Sequence, residues 1–170
     1  DMAIAFHVGG VNGRPATGTG HCSYYFEEHH THVQNMQALI ASLTFEGVLE
    51  RHPRLRIVII EAGMAWVPAL GWRMDQTWQR LKAETPDCVM KPSEYLKRHF
   101  WFTSQPADEP EHPRYLRDLF DWIGWDRILY ASDYPHWDYD DPRYCIRFRM
   151  TEAQRALMFR DNARALYGLP

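Results

Sequence analysis

The run Ile57-Val58-Ile59-Ile60 is the feature of this sequence that most restricts the fold. Four consecutive β-branched residues favour a strand, and a run without polar alternation is typical of a strand that is buried on both faces. Strands of this kind belong almost entirely to α/β proteins, in which helices cover a parallel sheet. We therefore expect a parallel sheet around this run.

Short apolar stretches alternate with longer helical stretches along the whole chain. Period-2 and apolar-run patterns predict strands at residues 3–8, 56–60, 99–103 and 127–131. Helical periodicity and end signals predict helices at residues 26–51, 68–85, 113–123 and 151–166. Parallel neighbours need a crossover between them, so four βα units in order indicate an α/β fold in a single domain over residues 1–170.

Composition narrows the kinds of partner. The chain has 19 Lys and Arg against 22 Asp and Glu, a net charge of -3, which argues against nucleic-acid or anionic-membrane binding and favours a small-molecule substrate. Cys22, Cys88 and Cys145 are widely spaced and predict neither a disulfide framework nor a zinc ribbon. No apolar stretch is long enough to span a bilayer and no signal peptide is recognisable, so we expect a soluble, cytoplasmic protein.

Residues 128–141 contain the strongest candidate for a functional site. An apolar run ends at Asp133, and Pro135, His136 and Asp138 follow closely. Catalytic groups of α/β barrels lie where strands end, so we predict that Asp133 is a metal ligand and a catalytic residue, although Asp is also common in turns. His136 is predicted to bind substrate, with Asp138 beside it. A plain surface loop is the alternative for both.

His7 is the second candidate metal ligand. It ends the first predicted strand, and Gly9 and Gly10 then turn the chain. A histidine that is merely hydrogen-bonded is the alternative. Imidazole and carboxylate ligands together suit one divalent metal ion; zinc is the first expectation, and manganese and iron also fit.

Several blocks of this sequence carry a family resemblance. The run from Ser132 to Asp138, Ser-Asp-Tyr-Pro-His-Trp-Asp, resembles the last-strand motif of the amidohydrolase-related family that includes aminocarboxymuconate-semialdehyde decarboxylase. Further blocks resemble that family in its own order: residues 52–63 with Trp66 and Pro68, 72–75, 92–95, 100–103, 162–163 and 166–168. Only the loop at residues 9–22 lacks such a block. The resemblance implies a TIM-barrel-like (β/α)8 metal-dependent hydrolase fold.

The same resemblance implies that part of the barrel is missing. Family members take a His-x-His pair from the first strand, a histidine from mid-barrel, which His7 matches, and an aspartate from the eighth strand, which Asp133 matches. The only His-x-His here, His30-Thr31-His32, falls in a predicted helix, where we expect it on a wet surface bordering the site. A barrel takes about 250 residues, so this chain resembles the C-terminal half, with four βα units. We expect it to form a homo-oligomer or to depend on the missing N-terminal half.

Three further residues complete the candidate site. Glu61 ends the second predicted strand, where decarboxylase-like members of the family have a proton-handling histidine, so we predict a catalytic acid or base. A partner of a metal ligand, or an ion pair with Arg73, is the alternative. Arg73 is predicted to bind a substrate carboxylate, unless it forms a structural salt bridge. Trp66 is predicted to be an aromatic wall of the substrate site, with a core role as the alternative.

The resemblance and an open metal site together predict a metal-dependent hydrolase. A bound ion lowers the pKa of water from about 15.7 to about 7, which yields a hydroxide for attack on a small carboxylated or cyclic, aromatic substrate. A metal-dependent decarboxylase of the same family is the alternative, although a glutamate at position 61 departs from its pattern. A non-catalytic half-barrel, or a subunit that needs a complementary chain, is an alternative of another class.

Overall fold

The computed structural model describes residues 2–9 and 20–170. Its centre is a parallel sheet in the order β1-β2-β3-β4, formed by Ala3–His7, Arg56–Ile60, Phe100–Thr103 and Ile128–Leu129. Ala3 lies opposite Arg56, Ile57 opposite Phe100, and Phe102 opposite Ile128. β4 is shorter than the predicted strand: beyond Leu129, the Ala131 N–H donates to the Ser104 hydroxyl at 3.2 Å and not to a backbone carbonyl, and the Tyr130 N–H donates to the carbonyl of Met158.

Helices connect and cover these strands. They are α1 Tyr25–Phe45, α2 Val48–Arg51, α3 Trp66–Leu81, α4 Pro92–His99, α5 Pro113–Ile123, α6 Glu152–Ala156 and α7 Asn162–Tyr167. A π-helical turn, Leu157–Asp161, joins α6 to α7. The helix expected over residues 26–51 is divided by Gly47, whose φ of 67° suits glycine and whose Cβ, if present, would lie 2.4 Å from Asp87 Cβ. The pattern did not predict α4, which lies in a turn-rich region.

β2 is buried on both faces, as its sequence predicts. Ile57 and Ile59 belong to the large core beneath the helices. Val58 faces a smaller cluster with Trp101, Leu129 and Leu166, to which α7 contributes. The buried run therefore holds the sheet between two apolar layers.

Parallel strands place all their carboxyl ends at one edge of the sheet, which we call the carboxyl edge. His7 ends β1, Glu61 follows β2, and Asp133 comes four residues after β4. Each connecting helix then starts near that edge, so the first turns of α1 and α3 border the same region.

Two expectations about the first segment concern residues outside the described ranges. The glycine turn predicted after His7 reaches Gly10, and most of the motif-poor loop at 9–22 has no described position. Within the described ranges, none of the helices combines the length and the apolar character that crossing a membrane requires.

We predict that the chain associates through β1. This strand lies at the end of the sheet, and its Ile4 is 47% exposed. An unpaired strand edge with an exposed apolar side chain favours pairing with another chain. Light scattering coupled to size exclusion should therefore report a mass above that of one chain.

A charge on the strand edge provides the test. Ile4→Lys should shift the protein towards the monomer, because lysine on an edge strand opposes pairing. Val89→Lys, at an exposed apolar residue outside the sheet, is the matched control and should leave the mass unchanged. A monomer at every concentration for the unmodified chain would contradict the prediction.

Candidate metal centre

Two acidic residues at the carboxyl edge have an unusual backbone conformation. Glu61 has a φ of 60° and Asp133 a φ of 57°, and in the described ranges they are the two non-glycine residues with positive φ. A left-handed backbone is unfavourable for residues with a Cβ, and such positions cluster at functional sites. The fold therefore holds two acidic residues of the carboxyl edge in a strained backbone conformation.

These carboxylates form a cluster with a histidine. Glu61, Asp133 and His136 each offer one ligand atom, and the three atoms lie within 4.8 Å of one another. His7 adjoins the group because its Nε2 is 2.6 Å from Glu61 Oε2. The structure thus brings together four residues that the sequence analysis singles out on three separate segments.

The contacts of the cluster suit a shared proton or a cation. His7 Nδ1 contacts the carbonyl of Val8, and Nε2 of the same ring faces Glu61. The buried Asp133 Oδ2 lies 2.7 Å from His136 Nδ1, and within the described ranges it has no contact with hydrogen-bond geometry. Two carboxylates and two imidazoles are a mixed oxygen and nitrogen donor set that fits zinc, manganese or iron.

The cluster is buried on one side and open on the other. The Glu61 and Asp133 side chains are 11% and 20% exposed, whereas those of His7 and His136 are 58% and 61% exposed. An ion or a ligand can therefore approach from the side of the two histidines.

Acidic side chains that accept backbone hydrogen bonds fix the loops around this cluster. Asp108 accepts from the backbone N–H groups of Met64 and Ala65, both at 2.8 Å, and so anchors the start of α3. Asp140 accepts from Ala107 N at 2.7 Å, and burial raises the pKa of Asp140 although this hydrogen bond opposes the rise. The loops after β2, β3 and β4 are thereby tied to one another.

A cleft of about 360 Å³ lies beside Glu61. Among the residues that line it are His29, His30, His32, Trp66, Trp137 and Asp138. Trp66 Nε1 donates to the Ala62 carbonyl at 2.7 Å, and its ring packs edge-on against Phe102. Trp66 therefore packs against the core and also lines the cleft, and its contact with a substrate stays a prediction.

Arg73 and the His30-Thr31-His32 pair lie outside the cluster of Glu61, Asp133 and His136. Arg73 lies on the exposed part of α3, two turns after Trp66, and in the described ranges it is not among the residues that line the cleft. Its role with substrate remains a prediction. His30-Thr31-His32 lies within α1, and both histidines border the cleft, as expected for a helix near the site mouth.

Sequence reasoning missed His29 and Gln105. His29 Nε2 is 3.1 Å from Asp138 Oδ2, and Gln105 donates its side-chain amide to the same oxygen at 3.3 Å. Three histidines within four positions at the start of a helix that follows a strand end would have been a signal for His29. Gln105 has no comparable local signal.

The four βα units and the polar cluster at the carboxyl edge define part of an α/β barrel with a candidate metal site. A family model described as Amidohydrolase matches residues 3–169. The chain belongs to the amidohydrolase family, as the resemblance implied.

Individual relatives place the chain more closely. Gamma-resorcylate decarboxylase from Rhizobium sp. (strain MTP-10005) is 29% identical over 130 residues, which are 75% of this chain and 38% of that enzyme. An amidohydrolase structure from Mycobacterium avium subsp. paratuberculosis K-10 has a TM-score of 0.67 at 28% identity, over 79% of this chain and 33% of that one. The chain thus spans about two fifths of the curated relative's length.

A third relative adds support for the fold. Dihydroxybenzoic acid decarboxylase from Polaromonas sp. JS666, solved with manganese and the inhibitor 2-nitroresorcinol, has a TM-score of 0.64 at 23% identity. The match covers 82% of this chain and 41% of that enzyme. Together with the parallel sheet, these likenesses confirm the predicted TIM-barrel-like fold, of which the chain forms a part.

Removing the charge of Asp133 tests the metal centre. Asparagine tolerates positive φ, so Asp133→Asn keeps the backbone and removes the negative charge. We expect Mn²⁺ and Zn²⁺ to bind at least about tenfold more weakly to this variant in calorimetric titrations, because the loss of a metal-site group commonly costs 10–100-fold in affinity.

The control for this test is Asp118→Asn, at an exposed position on α5. It should bind both ions as tightly as the unmodified chain. Equal affinity of the Asp133 variant and the control would remove Asp133 from the metal site.

Proposed function

We propose that this chain supplies part of the active site of a metal-dependent carboxy-lyase, which releases the carboxylate of a small aromatic acid as carbon dioxide. The observation that carries the proposal is the convergence of Glu61, Asp133 and His136 beside His7, next to a cleft with tryptophan walls. The similarity to gamma-resorcylate decarboxylase supports decarboxylation over hydrolysis, the function first expected from the sequence.

In this proposal His7 and Asp133 hold the metal ion, and Glu61 and His136 lie against them. A bound divalent ion supplies positive charge that stabilises an anionic ligand and acidifies bound water. Zinc, manganese and iron all suit the donor set. The manganese in the Polaromonas structure makes manganese the first ion to test.

Glu61 is assigned the proton transfer. Decarboxylation breaks the bond between the ring carbon and the carboxylate; the electron pair stays on the ring carbon, which must take a proton. Glu61 Oε2 and His7 Nε2 are 2.6 Å apart and can hold one proton between them. With His7 Nε2 holding a metal ion, the Glu61 carboxyl would be the group that delivers this proton to the ring carbon, and the resulting carboxylate would take up another proton from water before the next turnover.

Hydrolysis is the second candidate, and a specific residue favours it. Position 61 carries a glutamate where decarboxylase-like members of the family have a histidine. A carboxylate beside a metal-bound water is a suitable general base for attack on a carbonyl. Incorporation of oxygen from ¹⁸O-labelled water into the product would indicate hydrolysis, whereas release of carbon dioxide indicates decarboxylation.

We predict carbon dioxide release from gamma-resorcylate that depends on metal. Chelation should abolish the release, and added Mn²⁺ or Zn²⁺ should restore it, because the donor set needs an ion to bind and activate the carboxylate. The released carbon dioxide is measured in the gas above a reaction that contains the self-associated form of the chain. The absence of release with every ion tested would contradict the carboxy-lyase assignment.

The variant Glu61→Gln tests the proton transfer. Glutamine keeps the size of the side chain but cannot donate the acid proton, so turnover should fall by roughly 10²- to 10⁴-fold, the usual contribution of a general acid or base. Metal content and thermal stability should stay close to those of the unmodified chain.

Glu111→Gln, at an exposed loop position before α5, is the matched control and should keep full turnover. A normal rate together with a lowered melting temperature for Glu61→Gln would give Glu61 a structural role instead.

A further inference from the structure

Helix α1 brings three histidines to one wall of the cleft. His29, His30 and His32 lie in its first turns, and all three border the cleft that contains Glu61. The remaining charged residues that line this cleft, apart from Glu61, are Asp108 and Asp138. Ionised carboxylates can only accept a hydrogen bond from a ligand, whereas an imidazole can also donate one, so a ligand hydroxyl can use both its hydrogen and its oxygen at the histidine wall.

His29 is already committed to structural contacts. Its Nε2 lies 3.1 Å from Asp138 Oδ2 and its Nδ1 lies 3.4 Å from the Tyr25 hydroxyl, and its ring packs against Trp137. The His29 and Asp138 side chains are 15% and 13% exposed. His29 therefore joins α1 to the loop after β4 and has little capacity left for a ligand.

His30 is partly committed in the same way. Its Nδ1 is 2.7 Å from the Phe26 carbonyl one turn earlier in α1, which places the proton on that nitrogen. This bond fixes the orientation of the ring along the helix.

His32 differs from both neighbours. Its Nε2 is buried and, among the described residues, has no hydrogen-bond partner, although the residue lines the cleft. Buried polar atoms are nearly always paired, and an unpaired one costs free energy that a ligand can recover.

We propose that His32 is a specificity-determining residue, whose Nε2 forms a hydrogen bond with a ring hydroxyl of an aromatic acid bound at the metal cluster. The inference rests on the proposed function and adds the group that recognises the ring. A hydroxyl both donates and accepts, so it pairs with either tautomer of a neutral imidazole. A cleft of about 360 Å³ lies within the range of small-molecule sites and reaches from His32 to Glu61.

Binding of matched aromatic acids tests the assignment without requiring turnover. Benzoate, 2-hydroxybenzoate and 2,6-dihydroxybenzoate are titrated into the Mn²⁺-loaded chain, and tryptophan fluorescence or calorimetry gives each Kd. The unmodified chain should prefer the hydroxylated acids. His32→Ala should weaken their binding about tenfold, the effect of one lost hydrogen bond, and should leave benzoate binding unchanged.

Two variants complete the design. His32→Gln keeps a side-chain group that donates and accepts, and should recover most of the preference for hydroxylated acids. His52→Ala removes an exposed histidine that precedes β2, at the opposite edge of the sheet, and should bind all three acids normally.

The outcomes separate this inference from the proposed function. Failure of the unmodified chain to bind Mn²⁺ would count against the proposed function. If Mn²⁺ binds normally, the inference is overturned by any of three results: no binding of the hydroxylated acids, unchanged preference in His32→Ala, or an equal loss for benzoate and its hydroxylated forms. The last result would mean that His32 only packs the wall of the cleft.

Discussion

The parallel pairing of β2 with both β1 and β3 is the constraint on which the candidate site depends. Because these strands run in one direction, residues that are far apart in the sequence meet at the carboxyl edge: His7 after β1, Glu61 after β2 and Asp133 beyond β4. The crossover helices must then begin at the same edge, and α1 and α3 deliver the histidine wall and Trp66. Burial of β2 on both faces fixes its position against the helices, and so fixes where Glu61 lies.

The fold maintains local strain at the cluster. A left-handed backbone costs roughly 1–2 kcal/mol for a residue with a Cβ, and both Glu61 and Asp133 have it. Contacts nearby compensate: Thr103 Oγ1 accepts from Glu61 N at 3.0 Å, and the Asp133 carbonyl accepts from His136 N at 2.9 Å. Glycine at either position would relieve the strain but would remove the carboxylate. Each turn therefore carries a carboxylate at a cost in backbone free energy.

Local patterns predicted the elements whose signals lie within a few residues. The β2 run and the helix from Pro113 to the terminating Gly124 have the predicted bounds. Patterns failed where distant residues decide: the end of β4 depends on Ser104, whose hydroxyl accepts from Ala131 N at 3.2 Å, and α4 depends on Asp75, which accepts from Ser93 N at 2.8 Å. The predicted ends of β1 and β4 lie one and two residues beyond the observed ends, and the cleft required contacts between α1 and the loop after β4, which a sequence alone does not reveal.

The exposure of the two cluster histidines bears on how the site can work. An ion pair such as His7 with Glu61, in which one partner is more than half exposed, is screened by water and contributes little. The same atoms interact far more strongly when water is excluded, because the effective dielectric falls. The Glu61 and Asp133 side chains are already largely shielded from water, and protein packed against the exposed His7 and His136 side chains would strengthen the interactions of the cluster by the same effect.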